Sequence, residues 1–131
     1  MTFESKVTIQ QPVNKIFGFL ADMNNHQQLM PADDISDWKS TTDGASFVIK
    51  NTINLSLKID SRIENKEIRI IPAEKAPFEL ELKWKLTPAG DTTDVVFTIE
   101  AELNLMMKMV VSGQLKKLAE HETNSLNFLF S

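Results

Sequence analysis

Hydrophobic and polar residues alternate along the middle of the chain, from Ile35 to Leu103. A period of two predicts β-strands that bury one face and expose the other. Turn-forming residues divide this region into six strands. In the strand that ends at Ile63, the alternation predicts that Ile63 points inward and Arg62 outward. The predicted strands are Ile35–Thr41, Ala45–Lys50, Ile53–Ile63, Ile68–Ile71, Phe78–Leu86 and Val95–Leu103.

The spacing of apolar residues changes to that of an α-helix in the last stretch, Leu105 to Phe130. Apolar residues three or four positions apart form one stripe there, which an amphipathic helix buries. Glu122 follows Leu118 by four residues and therefore falls in the middle of the stripe. The stripe consists of Val111, Leu115, Leu118, Leu126 and Leu129, and Gln114, His121 and Ser125 follow one flank of it.

The chain before these elements supplies one more strand and two short helical segments. Phe3–Gln10 alternates like a strand, Pro12–Ala21 has helical spacing, and His26–Leu29 can form one further turn. Consecutive strands joined by short turns pair antiparallel, and only the terminal helix is long enough to cover their apolar faces. We therefore expect an α+β fold in one domain, residues 1–131, with a curved antiparallel sheet of about seven strands around the C-terminal helix.

Composition excludes several classes of function. The net charge is −4 and no basic block occurs, which argues against nucleic acid as a partner. The chain has no cysteine and no paired histidine spacing, so we predict no disulfide, no metal site and no cofactor. No apolar run approaches the roughly 20 residues of a transmembrane helix. A cytoplasmic protein is the expectation.

The order of these elements resembles a known superfamily. A strand, then Gln11-Pro12-Val13 through Phe17 to Leu20 and Asp22, then an antiparallel meander and a long last helix, is similar to START-like (SRPBCC) proteins. That group includes the Bet v 1-type, polyketide cyclase and lipid-transfer proteins. The resemblance covers essentially the whole chain, and it implies a helix-grip fold with a hydrophobic cavity between the sheet and the last helix.

Two shorter segments are similar to the coenzyme-Q-binding branch of that superfamily. His26-Gln27-Gln28-Leu29-Met30-Pro31 is similar to the branch pattern Tyr-Pro-x-Phe-Leu-Pro, although His26 and Gln27 replace its Tyr and Pro. Ala76-Pro77-Phe78, followed by Trp84 and Leu86, is similar to its Gly-Pro-Phe and Trp-x-Phe. This likeness implies a quinone as one candidate ligand.

The inner faces of the strands and the helix stripe supply the candidate ligand-binding residues. A carboxyl group buried among apolar side chains has a raised pKa and can bind a ligand hydroxyl or transfer a proton. Glu122 is such a candidate, with His121 as its partner if the protein is an enzyme. The alternative is that Glu122 lies at the solvated edge of the stripe or pairs with a lysine or arginine. The predicted ligand-binding residues are Leu57, Leu80, Leu82, Trp84, Phe97, Ile99, Val111, Leu115, Leu118, Glu122 and Ser125.

The predicted function is binding or transport of a small hydrophobic ligand, such as a lipid, a quinone or a polyketide-like molecule. Much inward apolar surface, few inward polar groups and no recognisable catalytic set favour it. A polyketide cyclase, aromatase or dehydratase that uses Glu122 and His121 is the first alternative. The second is a module that binds a protein or membrane through Met106 and Met109, which point away from the stripe. That surface is a cavity lid, a homodimer contact or ordinary packing.

Overall fold

Seven strands form one antiparallel sheet in the computed structural model of the protein, which describes residues 1–131. The strands are β1 (Thr2–Ile9), β2 (Ile35–Ser40), β3 (Gly44–Ile49), β4 (Ile53–Ile63), β5 (Glu67–Pro72), β6 (Glu79–Ala89) and β7 (Thr92–Glu102). The helices are α1 (Val13–Leu20), a 3₁₀ helix (Met23–Leu29) and α2 (Leu105–Leu129). The strand order across the sheet is β1-β7-β6-β5-β4-β3-β2, so β1 and β2 are the two edges.

Helix α2 covers the inner face of the sheet. Asn104 precedes the helix and caps its first turn, because its side chain accepts a hydrogen bond of 2.8 Å from the Met107 backbone N–H. The helix packs mainly against β1 and β7, and it also contacts the 3₁₀ helix. This arrangement confirms the predicted α+β helix-grip fold. No helix combines the length and hydrophobicity needed to span a bilayer.

The core lies between α2, the two short helices and the inner face of the sheet. The registers of β1, β7, β6 and β5 place Ser5, Phe97, Trp84 and Ile68 opposite one another in a single row. Trp84 stacks on Phe97 with ring centroids 4.0 Å apart, and both side chains are fully buried. This aromatic pair fills the space under the middle of the sheet.

A β-bulge reverses the predicted orientation of the end of β4. The register of β4 against β5 shifts between Ile59 and Ser61, so Asp60 is an extra residue. After it Arg62 pairs with the buried Ile68 and therefore points to the inner side, whereas Ile63 is 48% exposed. The predicted inward Ile63 and outward Arg62 are thus wrong, because strict alternation does not survive a bulge.

The inward-facing Arg62 fastens the end of α1. Its Nε donates a hydrogen bond of 2.9 Å to the Ala21 carbonyl oxygen. Its Nη2 donates to the Thr42 carbonyl oxygen at 3.2 Å and lies 2.8 Å from the Asp43 carboxylate. One side chain therefore joins β4 to the last turn of α1 and to the β2–β3 turn.

Several predicted boundaries also need correction. The buried stripe of α2 ends at Leu126, because Leu129 is 41% exposed at the last turn. The helix stops one residue before the predicted Phe130, whose ring contacts Phe19 edge to face. Pro12 caps α1 instead of beginning it. Strand β6 continues beyond the predicted Leu86 to Ala89, and Gly90 makes the turn with a φ of 67°.

Edge strand β2 is irregular. Its register against β3 shifts between Ser36 and Lys39, and Asp37 has a φ of 54°. Trp38 follows directly and stacks on Phe47 of β3, with ring centroids 5.2 Å apart. The irregular backbone thus accompanies the packing of a large side chain against the sheet.

Candidate ligand-binding site

A pocket of about 350 Å³ lies between α2 and the end of the sheet formed by β2, β3 and β4. Because α2 packs mainly on β1 and β7, at the opposite edge, it leaves this end of the sheet less closely covered. The volume is at the low end of the roughly 300–1,000 Å³ range of small-molecule sites. The walls are Pro31, Asp34, Ile35, Ile49, Ile53, Phe78, Val111, Gln114, Leu115, Lys117, Leu118, Glu120, His121 and Asn124.

The floor of the pocket is apolar. Val111, Leu115 and Leu118 come from the buried stripe of α2, and each is less than one-tenth exposed. They face Ile49 and Phe78, which are also buried and come from β3 and from the segment before β6. Such a floor favours an apolar group by removing its surface from water, at roughly 25 cal/mol per Å².

One wall of the pocket is polar. Gln114, Lys117, His121 and Asn124 follow one side of α2 at successive spacings of three, four and three residues. None of these four side chains makes a hydrogen bond or an ion pair within the protein, and neither does Glu120, which also lines the pocket. The wall therefore offers amide, ammonium and imidazole groups that are free to meet a ligand.

The opposite wall is held in place by the tip of the β3–β4 hairpin. Ile49 and Ile53 form the last pair of this hairpin, and both line the pocket. Between them, Lys50 and Asn51 have φ angles of 48° and 58°, which gives a tight turn. The Lys50 backbone N–H donates to the Asp34 carbonyl oxygen at 2.7 Å, and the Lys50 ammonium lies 3.6 Å from the Asp34 carboxylate. The hairpin tip and the segment before β2 are thereby joined.

Glu122 lies in the core beside the pocket. It is 1% exposed, and its Oε2 has no hydrogen-bond partner. Burial raises the pKa of this carboxyl well above its usual value, because the charged form loses its hydration and gains no partner. The burial agrees with the predicted phase of the helix, and the alternative of a solvated edge position is wrong. The raised pKa favours the protonated acid, which can donate a hydrogen bond.

His26 is the second buried titratable group. It is 1% exposed, and its Nε2 lies 2.8 Å from the Leu20 carbonyl oxygen. Since a carbonyl only accepts, Nε2 carries the proton and donates it. Burial lowers the pKa of His26 despite this hydrogen bond, so the neutral imidazole is favoured. The ring also meets Trp84 edge to face, at 6.3 Å between centroids, which makes His26 part of the packed core.

The structure divides the predicted site residues between the pocket and the core. Val111, Leu115 and Leu118 line the pocket, and so does the exposed His121. Glu122 is buried in the core, and Ser125 is half-buried on α2, outside the pocket walls. The strand residues are also buried in the core and do not line this pocket; they are Leu57, Leu80, Leu82, Trp84, Phe97 and Ile99. Their contact with a ligand stays a prediction.

Much of the pocket was absent from the predicted site. Ile49, Ile53 and Phe78 carried a usable signal, because their strand phases already pointed inward. Pro31 belongs to the segment that resembles the coenzyme-Q-binding branch, so that likeness also pointed to this region. The polar wall carried no signal of its own, since exposed polar residues follow one side of most amphipathic helices.

Comparison with known proteins places this geometry in a structural class. In sequence, the chain matches no protein-family profile and no curated protein. In structure, it is similar to a START superfamily protein from Mycobacterium smegmatis, with a TM-score of 0.73 and 16% identity over 98% of this chain and 96% of that one. It is also similar to Aha1 from Colwellia psychrerythraea, a dimer in solution, with a TM-score of 0.68 and 18% identity over 99% of this chain and 96% of that one.

A third similar structure is the di-domain ARO/CYC BexL from the BE-7585A biosynthetic pathway. Its TM-score is 0.73 at 11% identity, over 98% of this chain and 45% of that longer one. At such identities the likeness defines the fold alone. The fold is the START-like helix-grip, so the resemblance inferred from the residue pattern is confirmed at that level. This fold typically holds a hydrophobic ligand-binding cavity, and the pocket described here adjoins its last helix.

Proposed function

We propose that this protein binds or carries a small hydrophobic molecule in the pocket between α2 and the β2–β4 end of the sheet. The observation that carries the proposal is a pocket of about 350 Å³ with a floor of buried apolar side chains. Lipid-like, quinone or polyketide-like molecules share the apolar body that such a floor selects. A cytoplasmic location, one domain and the absence of a bound cofactor remain predictions.

The proposed binding is tested with a neutral, environment-sensitive dye, Nile red. Leu118→Trp should fill the floor of the pocket and weaken dye binding while the far-UV circular dichroism stays native. Asn127→Trp is the matched control, because Asn127 is exposed on the same helix, outside the pocket walls. Equal dye affinity in both folded variants and the natural protein would place binding elsewhere. Native mass spectrometry of freshly purified protein then identifies any apolar molecule that accompanies it.

The enzyme alternative receives less support from the geometry of its two candidate residues. His121 and Glu122 are consecutive on α2, so their side chains leave the helix about 100° apart. His121 is exposed at the pocket, whereas Glu122 is buried beneath the helix. A shared proton-transfer role would need both groups to reach one substrate atom. Carrier function is therefore the better-supported proposal.

A second proposal concerns the start of α2, where large apolar side chains are left uncovered. Leu105, Met106 and Met109 are each at least 74% exposed, and Val110 is 61% exposed. Exposed clusters of this kind mark contact surfaces more often than isolated exposed residues do. We infer self-association through this surface, in agreement with the dimeric Aha1 from Colwellia. Light scattering should show a dimer that Met109→Lys converts to a monomer, while Lys116→Met at an exposed position of the same helix leaves it unchanged.

A further inference from the structure

The free hydrogen-bonding side chains around the pocket lie on the wall formed by α2. Gln114, Lys117, His121 and Asn124 contribute amide, ammonium and imidazole groups, and none of them is used within the protein. On the facing wall, the carboxylate of Asp34 is already paired with Lys50. The wall formed by α2 thus offers free donors, among them the ammonium of Lys117, whereas the carboxylate of the facing wall is already paired.

Glu120 is the remaining charged group at the rim. It is exposed, forms no ion pair within the protein, and lies four residues after Lys116 and three residues after Lys117 on the helix surface. Lys117 belongs to the polar wall and forms no ion pair within the protein, so it is the cation that a ligand in the pocket can meet. Lys117 is exposed, so water and salt screen its charge and an ion pair there contributes modestly to binding.

The burial of the wall residues also determines how a ligand would be oriented in the pocket. Val111, Leu115 and Phe78 are buried at the floor, whereas Lys117 and Asn124 are exposed at the rim. A ligand with one apolar body and one polar end would therefore bind with its body inside and its polar end at the rim. The volume of about 350 Å³ suits one acyl chain or one small ring system, and it is too small for a two-chain lipid.

We propose that the pocket selects single-chain or ring amphiphiles whose head group is an anion of the carboxylate type, held at the rim by Lys117 and the neighbouring donors of α2. This inference rests on the proposed function and adds the chemistry of the head group. A carboxylate accepts several hydrogen bonds at once and pairs with an ammonium. A hydroxyl makes fewer such contacts, and a quaternary ammonium makes none.

Displacement of Nile red by three amphiphiles with the same chain tests the proposal. Dodecanoate, dodecanol and dodecyltrimethylammonium are compared at pH 8, below micelle-forming concentrations. Dodecanoate should bind most tightly and the cation least. Lys117→Gln should weaken dodecanoate by about 3- to 5-fold, as expected of an exposed ion pair, and leave dodecanol within about twofold. Lys116→Gln is the matched control, because Lys116 is exposed outside the pocket walls.

The outcomes separate this inference from the function on which it rests. Tighter binding of dodecanoate that weakens with added salt and with Lys117→Gln, but not with Lys116→Gln, would support it. Equal displacement by all three amphiphiles, or equal effects of the two lysine variants, would overturn the head-group assignment and leave hydrophobic binding standing. A natural protein that does not bind Nile red at all would overturn both.

Discussion

Ser5 and Thr123 share a hydrogen bond of 2.6 Å between their hydroxyl oxygens, and it joins edge strand β1 to helix α2 across 118 positions of sequence. The Thr123 hydroxyl also lies 3.1 Å from the Glu120 carbonyl oxygen and 3.3 Å from the Ala119 carbonyl oxygen. Either hydroxyl of the Ser5–Thr123 pair can donate to the other, because each carries one proton and two acceptor lone pairs. Ser5, a polar residue on the inner face of β1, thus helps to position helix α2.

This pair gives the first prediction. Ser5→Ala and Thr123→Val should each lower the free energy of unfolding, and the double variant should lose less than the sum, with a coupling of about 0.5–1.5 kcal/mol. Thr8→Ala is the control on the same strand, since its hydroxyl bonds the exposed Asp94. Urea unfolding compares these four variants with the natural protein. Strictly additive losses at Ser5 and Thr123 would show that the bond contributes nothing.

The second prediction concerns the buried carboxyl of Glu122. Its folded-state pKa is raised, so the folded protein holds the proton more tightly than the unfolded chain, and stability falls as pH rises from about 4.5 towards the folded pKa. Glu122→Gln removes the charge and keeps the shape, so it should stabilise the protein at pH 7. Thermal unfolding at pH 5 and pH 7 should show the larger gain at pH 7. Glu120→Gln, at an exposed position, should give no such difference.

The third prediction concerns the buried His26. Its folded-state pKa is lowered, so the unfolded chain binds the proton more tightly, and stability decreases as pH falls below about 6.5. His26→Gln retains a donor for the Leu20 carbonyl and should flatten this dependence. His121→Gln, the control at the exposed histidine, should leave it unchanged. A pH profile that is the same in all three proteins would contradict the assignment of His26 as a buried neutral group.

Two glycines should respond oppositely to alanine. A Cβ at Gly44 would lie 2.8 Å from the Leu57 carbonyl oxygen, so Gly44→Ala should destabilise the β3–β4 pairing. A Cβ at Gly113 would meet nothing within 4 Å, and Gly113 is an exposed residue between the two ends of α2. Gly113→Ala should therefore stabilise the protein by about 0.5–1 kcal/mol. Chemical denaturation checks both, and a loss of stability at Gly113 would mean that a bend in α2 is required there.

The last prediction tests the role of α2 in the whole fold. Ending the chain after Gln114 removes the buried Leu115, Leu118 and Leu126, and each buried leucine contributes roughly 1.5–3 kcal/mol. The shortened chain should lose its cooperative thermal transition and expose apolar surface to a dye such as ANS. Ending the chain after Asn127 instead removes only the last turn and should keep the transition. A cooperative transition in the shorter chain would show that the sheet has another cover.

The order of the elements could be predicted because each buried face repeats with the period of its own element. Leu80, Leu82 and Trp84 alternate on β6, and Leu115 and Leu118 repeat along α2. Local patterns contain no information about a bulge, and for this reason the inversion at Arg62 was not foreseen. The same holds for the burial of His26, which depends on contacts with α1 and β6.

The pocket was harder to predict than the fold. The phase of the hydrophobic repeat identifies which side chains face inward, and it correctly placed Val111, Leu115 and Leu118 on the buried side of α2. It does not tell where along the sheet the helix lies. Because α2 lies towards β1 and β7, the pocket forms at the other end, beside Ile49 and Phe78. That displacement follows from tertiary packing, which no single stretch of sequence contains.

The irregularity of strand β2 also affects the tendency of the protein to aggregate. An open sheet edge can add a strand from another molecule and so begin a fibril, and regular edges are the ones at risk. At Asp37 the left-handed backbone and the shifted register interrupt the row of outward N–H and C=O groups. A strand from a second copy would lose its hydrogen bonds at that point. The irregular segment around Asp37, which positions Trp38 against Phe47, therefore also disfavours aggregation through this edge.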